Sequence, residues 1–245
     1  MQTSSQPPTA RIDIRQDFAW DGQNAYLFDI DGTLMRSLDR VHFDAFAVSV
    51  QQVTGVEVSL HGVPLHGNTD TGILREACRQ AGIPAPVLEG HIEAILNAMR
   101  ATVAERRSEL DPLVLPGVSQ VLEHLARKGA LLGMASGNLE AIGWIKIEVA
   151  GLGEWFRFGG FSDHYPRRSE LIAEAARKAR EMAGPGASVC VVGDTPRDIE
   201  AAHANSLPVI AVATGSSSFD ELFACRPEVC ATSLADLLAA SKGNA

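Results

Sequence analysis

Three short segments hold the residues that could do chemistry: Asp29-Ile30-Asp31-Gly32-Thr33-Leu34, Ser136-Gly137-Asn138, and Gly193-Asp194-Thr195-Pro196-Arg197-Asp198. Asp29 and Asp31 are two positions apart, so on an extended backbone both side chains project to one side. Carboxylates held that close repel, one then tends to keep a proton, and a cation relieves the remainder. Asp194 adds another carboxylate if its segment arrives at the same place. An oxygen-rich donor set of this kind suits Mg²⁺, which retains water and takes substrate phosphate oxygens as ligands. Gly32, Gly137 and Gly193 would let backbone N–H groups approach an anion closely.

Each segment ends a short apolar run, which reads as a buried strand meeting a turn. The runs are residues 25–30, 130–136 and 188–194, with further strands expected at 158–161 and 207–212. Helical spacing follows most of them, over roughly 113–128, 139–150, 168–182 and 196–205, the last with Pro196 in its first turn. Alternating strands and helices imply a parallel sheet covered on both faces, an α/β fold of Rossmann-like type. In such sheets ligands bind at the carboxyl ends of the strands, where all three segments would lie. Residues 38–111 break the alternation, with helical stretches near 38–53, 69–81 and 86–107, a loop rich in Gly, His and Pro between the first two, and no strand pattern. The expected organisation is a loose N-terminal arm over 1–22, an α/β core from 23–37 and 112–245, and an all-helical insertion over 38–111.

The 245 residues are 46% hydrophobic and 21% charged, as in an ordinary globular protein rather than a disordered one. A net charge of −9 repels phosphate backbones and argues against a general nucleic-acid binder, though not against one small anion held in a locally positive pocket. Four cysteines without a C-x-x-C pair point to a reduced compartment. The polar N-terminus has no apolar signal region, and no apolar run is long enough to cross a bilayer. A soluble, cytoplasmic protein with no membrane contact is expected; the oligomeric state stays open. No G-x-x-x-x-G-K-[ST] segment supports a nucleotide P-loop.

Asp29-Ile30-Asp31-Gly32-Thr33-Leu34 resembles motif I of the haloacid dehalogenase superfamily, Ser136 after its apolar strand resembles motif II, and Gly193 to Asp198 resembles motif IV. The motifs fall in the family's order across most of the chain. The helical insertion after strand 1 is similar to a C1-type cap, and His66-Gly67-Asn68-Thr69-Asp70 is similar to a cap segment of the phosphoglycolate phosphatase-like branch. The resemblance implies that Asp29 attacks phosphorus to form an aspartyl phosphate, and that Asp31 protonates the leaving alcohol and then deprotonates water. It also implies Mg²⁺ held by Asp29, the Asp31 backbone carbonyl and Asp194, with Asp198 supporting that shell. Ser136 and the Gly137 N–H would bind phosphate. For motif III the family expects Lys or Arg near the helix after strand 3; Arg168, in Arg168-Ser169-Glu170-Leu171, is chosen, with Arg167 as its rival. Asn138, His66, Thr69 and Asp70 are possible substrate contacts. The implied activity is Mg²⁺-dependent hydrolysis of a small phosphorylated metabolite. The alternatives are a β-phosphoglucomutase-like phosphotransferase, which keeps both motif I aspartates, and a non-catalytic binding protein on the same scaffold; Asp31 argues against a metal-free dehalogenase.

Overall fold

The computed structural model describes residues 10–242. Its centre is a seven-stranded sheet in the order β1-β9-β8-β7-β2-β5-β6. The strands are β1 (Ile12–Ile14), β2 (Ala25–Phe28), β5 (Leu131–Ala135), β6 (Phe158–Gly160), β7 (Val189–Gly193), β8 (Val209–Val212) and β9 (Val229–Ala231). All neighbours pair in parallel except β1, which lies antiparallel to β9 at the edge.

Period-two alternation along the strands builds two cores. Tyr26 and Phe28 turn to one face, with Met134 and Val192, against α4 (Val118–Arg127), α5 (Glu140–Val149) and α9 (Leu234–Lys242). Ala25 and Leu27 turn to the other, with Val189 and Val191, against α6 (Arg168–Ala183), α7 (Pro196–Ala204) and α8 (Phe219–Ala224). Both faces are covered, so strands that read as continuous apolar runs are buried throughout. Each fully buried Leu or Phe contributes about 1.5–3 kcal/mol by leaving water.

Three helices interrupt this core: α1 (Val41–Thr54), α2 (Asp70–Gln80) and α3 (Ala85–Glu105). They share a hydrophobic core of their own, including Phe46, Leu74, Ile95 and Met99, to which Leu139 and Ile142 contribute from the start of α5. Helix α5 therefore packs on the sheet through Ile147 and on the inserted helices through Ile142. Among the described residues no helix is long and apolar enough to cross a membrane.

Two expectations need correction. Residues 12–14 of the supposed loose arm are sheet, with Ile12 and Ile14 packed against the core, and Trp20 is buried beneath a stacked His124 ring. An edge strand of three residues is too short to show alternation in sequence. Residues 1–9 of that arm lie outside the described residues. Leu113 does not open a helix: Pro112–Val114 is strand β4, paired antiparallel with β3 (Met35–Ser37), so a two-stranded antiparallel ribbon forms the neck of the insertion. Helix α4 begins only after Gly117, whose φ of 83° and close packing against Ala235 exclude a side chain; a Cβ there would lie 2.2 Å from the Ala235 nitrogen.

Candidate active site

Strand β2 sits between β5 and β7, with Phe28 opposite Met134 on one side and Val192 on the other. The next residues along the three strands emerge together at one sheet edge, where the chain order reverses and an α/β crevice opens. Asp29 and Asp31 follow β2, Ser136 follows β5 and Asp194 follows β7. All line one cavity of about 490 Å³, closed on its far side by residues of the inserted helices and their loop, including His42, Phe43 and His66.

The floor of this cavity is acidic. Asp29, Asp194 and Asp198 are buried, and a carboxylate oxygen of each lies within 4.8 Å of the others. Burial first, then repulsion from Asp198 and Asp31, raises the pKa of Asp29 to about 6 against the pull of Arg168. Burial, then Asp29 and Asp198, pushes Asp194 to about 8. Bare glycine backbone packs directly against the Asp194 carboxylate: a Cβ on Gly32 would lie 2.4 Å, and on Gly215 1.7 Å, from its Oδ2. Gly32 also has a φ of 87°. The hydrogen bond that the Asp194 carboxylate accepts from Thr33 Oγ1 is long, 3.3 Å, which leaves lone pairs for a cation. Asp198 differs. As the third residue of α7 it accepts from the Thr195 N–H and Oγ1 at 3.0 and 2.7 Å, and from Arg168 Nε at 2.7 Å. Both its oxygens are spent inside the protein.

Of the two adjacent arginines, Arg168, at the first turn of α6, is the one that lines this cavity. It is buried, and its Nη2 lies 2.9 Å from Asp29 Oδ1, an ion pair without a hydrogen-bonding angle. Burial opposes its charge, but Asp198 and Asp29 more than offset that and hold it protonated. Arg167 instead points outward and pairs with Glu170 in the next turn.

Asp31 lies in a separate corner. Lys146 Nζ donates to both of its oxygens, at 3.0 and 2.8 Å, and Asn138 Nδ2 donates to Oδ2 at 2.8 Å. Burial would raise the pKa of Asp31, but Lys146 and Asn138 outweigh it and lower the pKa below the ordinary value. Asn138 also donates to Ser136 Oγ at 2.8 Å, tying this corner to the end of β5.

The structure sorts the expected cap contacts. His66 lines the cavity. Asp70 does too, but its Oδ2 is occupied by the Leu139 N–H at 2.8 Å and by His42 Nε2 at 3.0 Å, while its own N–H donates to the Gly137 carbonyl at 2.7 Å. Thr69 is not on the cavity wall; its hydroxyl caps α2 through the Gly72 N–H and donates to the Pro166 carbonyl. Asp70 and Thr69 latch the inserted helices to the core. Gly137 belongs to the same seam, since a Cβ there would lie 2.2 Å from the Asn68 carbonyl.

Lys146, Arg36 and His42 also line the cavity and were not anticipated. Lys146 had a signal in the sequence. It sits between Ile142, Gly143 and Ile147 on the buried stripe of α5, and a lysine on such a stripe needs an anionic partner.

A family model described as haloacid dehalogenase-like hydrolase matches residues 23–205. The chain is 23% identical over 218 residues to Probable phosphatase IndB of Dickeya dadantii, covering 88% of this chain and 92% of that protein. It is 27% identical over 207 residues to a phosphoglycolate phosphatase of Pseudomonas syringae pv. tomato, covering 83% and 74%. Among solved structures, a predicted phosphoglycolate phosphatase from Haemophilus somnus superposes with a TM-score of 0.65 at 19% identity, over 89% of this chain and 98% of that one.

Proposed function

The chain belongs to the haloacid dehalogenase-like hydrolase family, and from that premise we propose that it is a Mg²⁺-dependent phosphatase acting on a small phosphorylated metabolite through an aspartyl-phosphate intermediate. Phosphatase is what the names of its two relatives share. The observation that carries the reading is the meeting of Asp29, Asp194 and Arg168 on one cavity, with Gly32 and Gly215 bringing bare backbone against the Asp194 carboxylate. That arrangement fits a cation and a phosphate side by side.

Asp29 and Asp194, with the Asp31 backbone carbonyl, would hold the Mg²⁺, and Asp198 would orient Arg168 and the start of α7 from behind. Bound there, the cation would neutralise the carboxylates and spread negative charge from the transferring phosphoryl group. Arg168, Ser136 and the Gly137 N–H would bind phosphate oxygens and aim the phosphorus at Asp29. A carboxylate oxygen of Asp29 forms a bond to phosphorus as the ester P–O bond breaks, and the departing oxygen takes a proton from Asp31. That proton can arrive with the monoanionic phosphate ester, whose second pKa is near 6. Water then attacks phosphorus, gives its proton to Asp31, and the P–O bond to Asp29 breaks to release phosphate. The inserted helices form the cap that shields these steps from bulk water.

A screen of small phosphomonoesters with Mg²⁺ tests this reading. The expected outcome is phosphate release from at least one of them without a bisphosphate primer, lost in EDTA and restored by Mg²⁺. Turnover that survives EDTA would overturn the metal-dependent chemistry, and a requirement for a bisphosphate primer would make the protein a phosphomutase.

A further inference from the structure

We infer that Lys146 is a positioning residue that, through Asn138, clamps the Asp31 carboxylate for the second half of the reaction, the attack of water on the phosphorylated enzyme. The inference rests on the phosphatase reading and extends it to a residue outside the expected motifs.

The geometry is a closed triangle. The three Lys146 contacts go to Asp31 Oδ1, Asp31 Oδ2 and Asn138 Oδ1, at 3.0, 2.8 and 2.9 Å. An ammonium has three protons, so its donor capacity is fully committed. Asn138 closes the figure by donating from its amide nitrogen to Asp31 Oδ2. The ammonium is behind and the carboxylate in front: the Lys146 side chain is 3% exposed, whereas that of Asp31 is 43% exposed toward the cavity. The carboxylate is therefore gripped from one side and open on the other, as a base that must meet a water molecule requires.

The anchor is rigid. Lys146 stands on α5, which is fixed to the sheet by Ile147 and to the inserted helices by Ile142. A flexible ammonium is poorly suited to binding substrate when none of its protons is free. Its evident work is to hold the carboxylate in one rotamer and to keep Asn138 in place beside Ser136 at the end of β5. Positioning of this kind matters because an ångström of misplacement can cost about 10²-fold in rate.

In the first chemical step a good leaving group departs without help from an acid. The second step always requires a base for water. Replacing Lys146 should therefore separate the two steps. The test uses the full-length protein with Mg²⁺ and 2,4-dinitrophenyl phosphate under rapid mixing. For Lys146→Met, the expected trace is a burst of one dinitrophenolate per active site at a rate within about threefold of wild type. A steady state slower by roughly 10²-fold should follow, with acid-quenched protein carrying one added phosphoryl group on Asp29. A burst and steady state that fall together would overturn the inference, since that is what general damage to the site does. So would an unchanged steady state. If Lys146→Met does not give a native melting transition, Lys146→Gln, which keeps a donor to one oxygen, is read by the same criteria. Failure of the underlying reading looks different: wild type would release no dinitrophenolate, or Asp29→Asn would still release it.

Discussion

Two aspartates two residues apart stand in opposite electrostatic surroundings. Asp29 shares the cavity floor with Asp194, with Asp198 behind them, and burial and like charge push its pKa to about 6. Asp31 faces Lys146 and Asn138, and its pKa is lowered. The floor is a site short of positive charge; the corner is already neutralised. The difference shows how one short motif supplies two kinds of carboxylate, because the neighbours and not the residue type set the protonation state. A cation would complete the floor, whereas the corner already holds one in Lys146.

The largest expected effect comes from breaking the floor. Asp29→Asn should lower kcat by on the order of 10⁴-fold or more, as removal of a nucleophile does, and leave no burst with 2,4-dinitrophenyl phosphate. Asp31→Asn should lower steady-state turnover by roughly 10²–10⁴-fold, the range for a lost acid–base group. It should still form phosphoenzyme from the same substrate. If both variants lose the burst alike, the two carboxylates do not divide the work as their surroundings indicate.

The comparison also has a stability consequence with a definite sign. An acid whose pKa rises on folding binds more protons in the native than in the unfolded chain, so its contribution falls as pH climbs. For Asp29 and Asp194 that loss runs from the ordinary 3.8 up through about 6 and 8. Asp31 has the opposite sign: its stabilisation is present above the ordinary 3.8 and is lost only as pH falls below that value. The metal-free Asp194→Asn variant should therefore melt a few degrees above wild type at pH 8 and lose that advantage by pH 4. Mg²⁺ should raise the wild-type melting temperature more at pH 8 than at pH 5, because protons compete for its ligands. Differential scanning fluorimetry across pH, with EDTA or Mg²⁺, checks both, and a Mg²⁺ shift that shrinks as pH rises contradicts the cation site.

The floor was readable from sequence because its residues end the most apolar strands of the sheet. Runs such as 25–28 and 189–193 are buried on both faces, and a carboxylate directly after such a run has few reasons to be there other than chemistry. The corner was only half readable. Asp31 belongs to the motif, but Lys146 lies 115 residues away, and only the lysine on a buried helical stripe hinted at it. Thr69 and Asp70 stood out for their residue types, yet their side chains are spent on helix capping and on joining the inserted helices to the core. Side-chain commitments of that kind follow from tertiary contacts that local spacing does not encode. The short edge strand β1 and the neck strands β3 and β4 escaped for a related reason, since three residues show no period.

The smallest effect is expected at a neighbour of the floor and sharpens what the floor is. Arg167 and Arg168 are adjacent and chemically identical, yet the first has 77% of its side chain exposed and the second 7%. Arg167 pairs with Glu170 one turn along the same helix, an exposed i,i+3 contact that salt and water screen. Arg168 lines the cavity and contacts Asp29 and Asp198. Arg167→Ala should hold kcat/KM within about twofold of wild type, as expected when a solvent-screened pair is lost, with no resolvable change in melting temperature. Arg168→Ala should lose most phosphate affinity and strand two buried carboxylates. Steady-state kinetics on the two alanine variants, run side by side at low and high salt, make the comparison. A large kcat/KM loss in Arg167→Ala at low salt that shrinks as salt rises would mean that the outer arginine guides anions into the cavity, and that the positive charge serving the floor extends beyond Arg168.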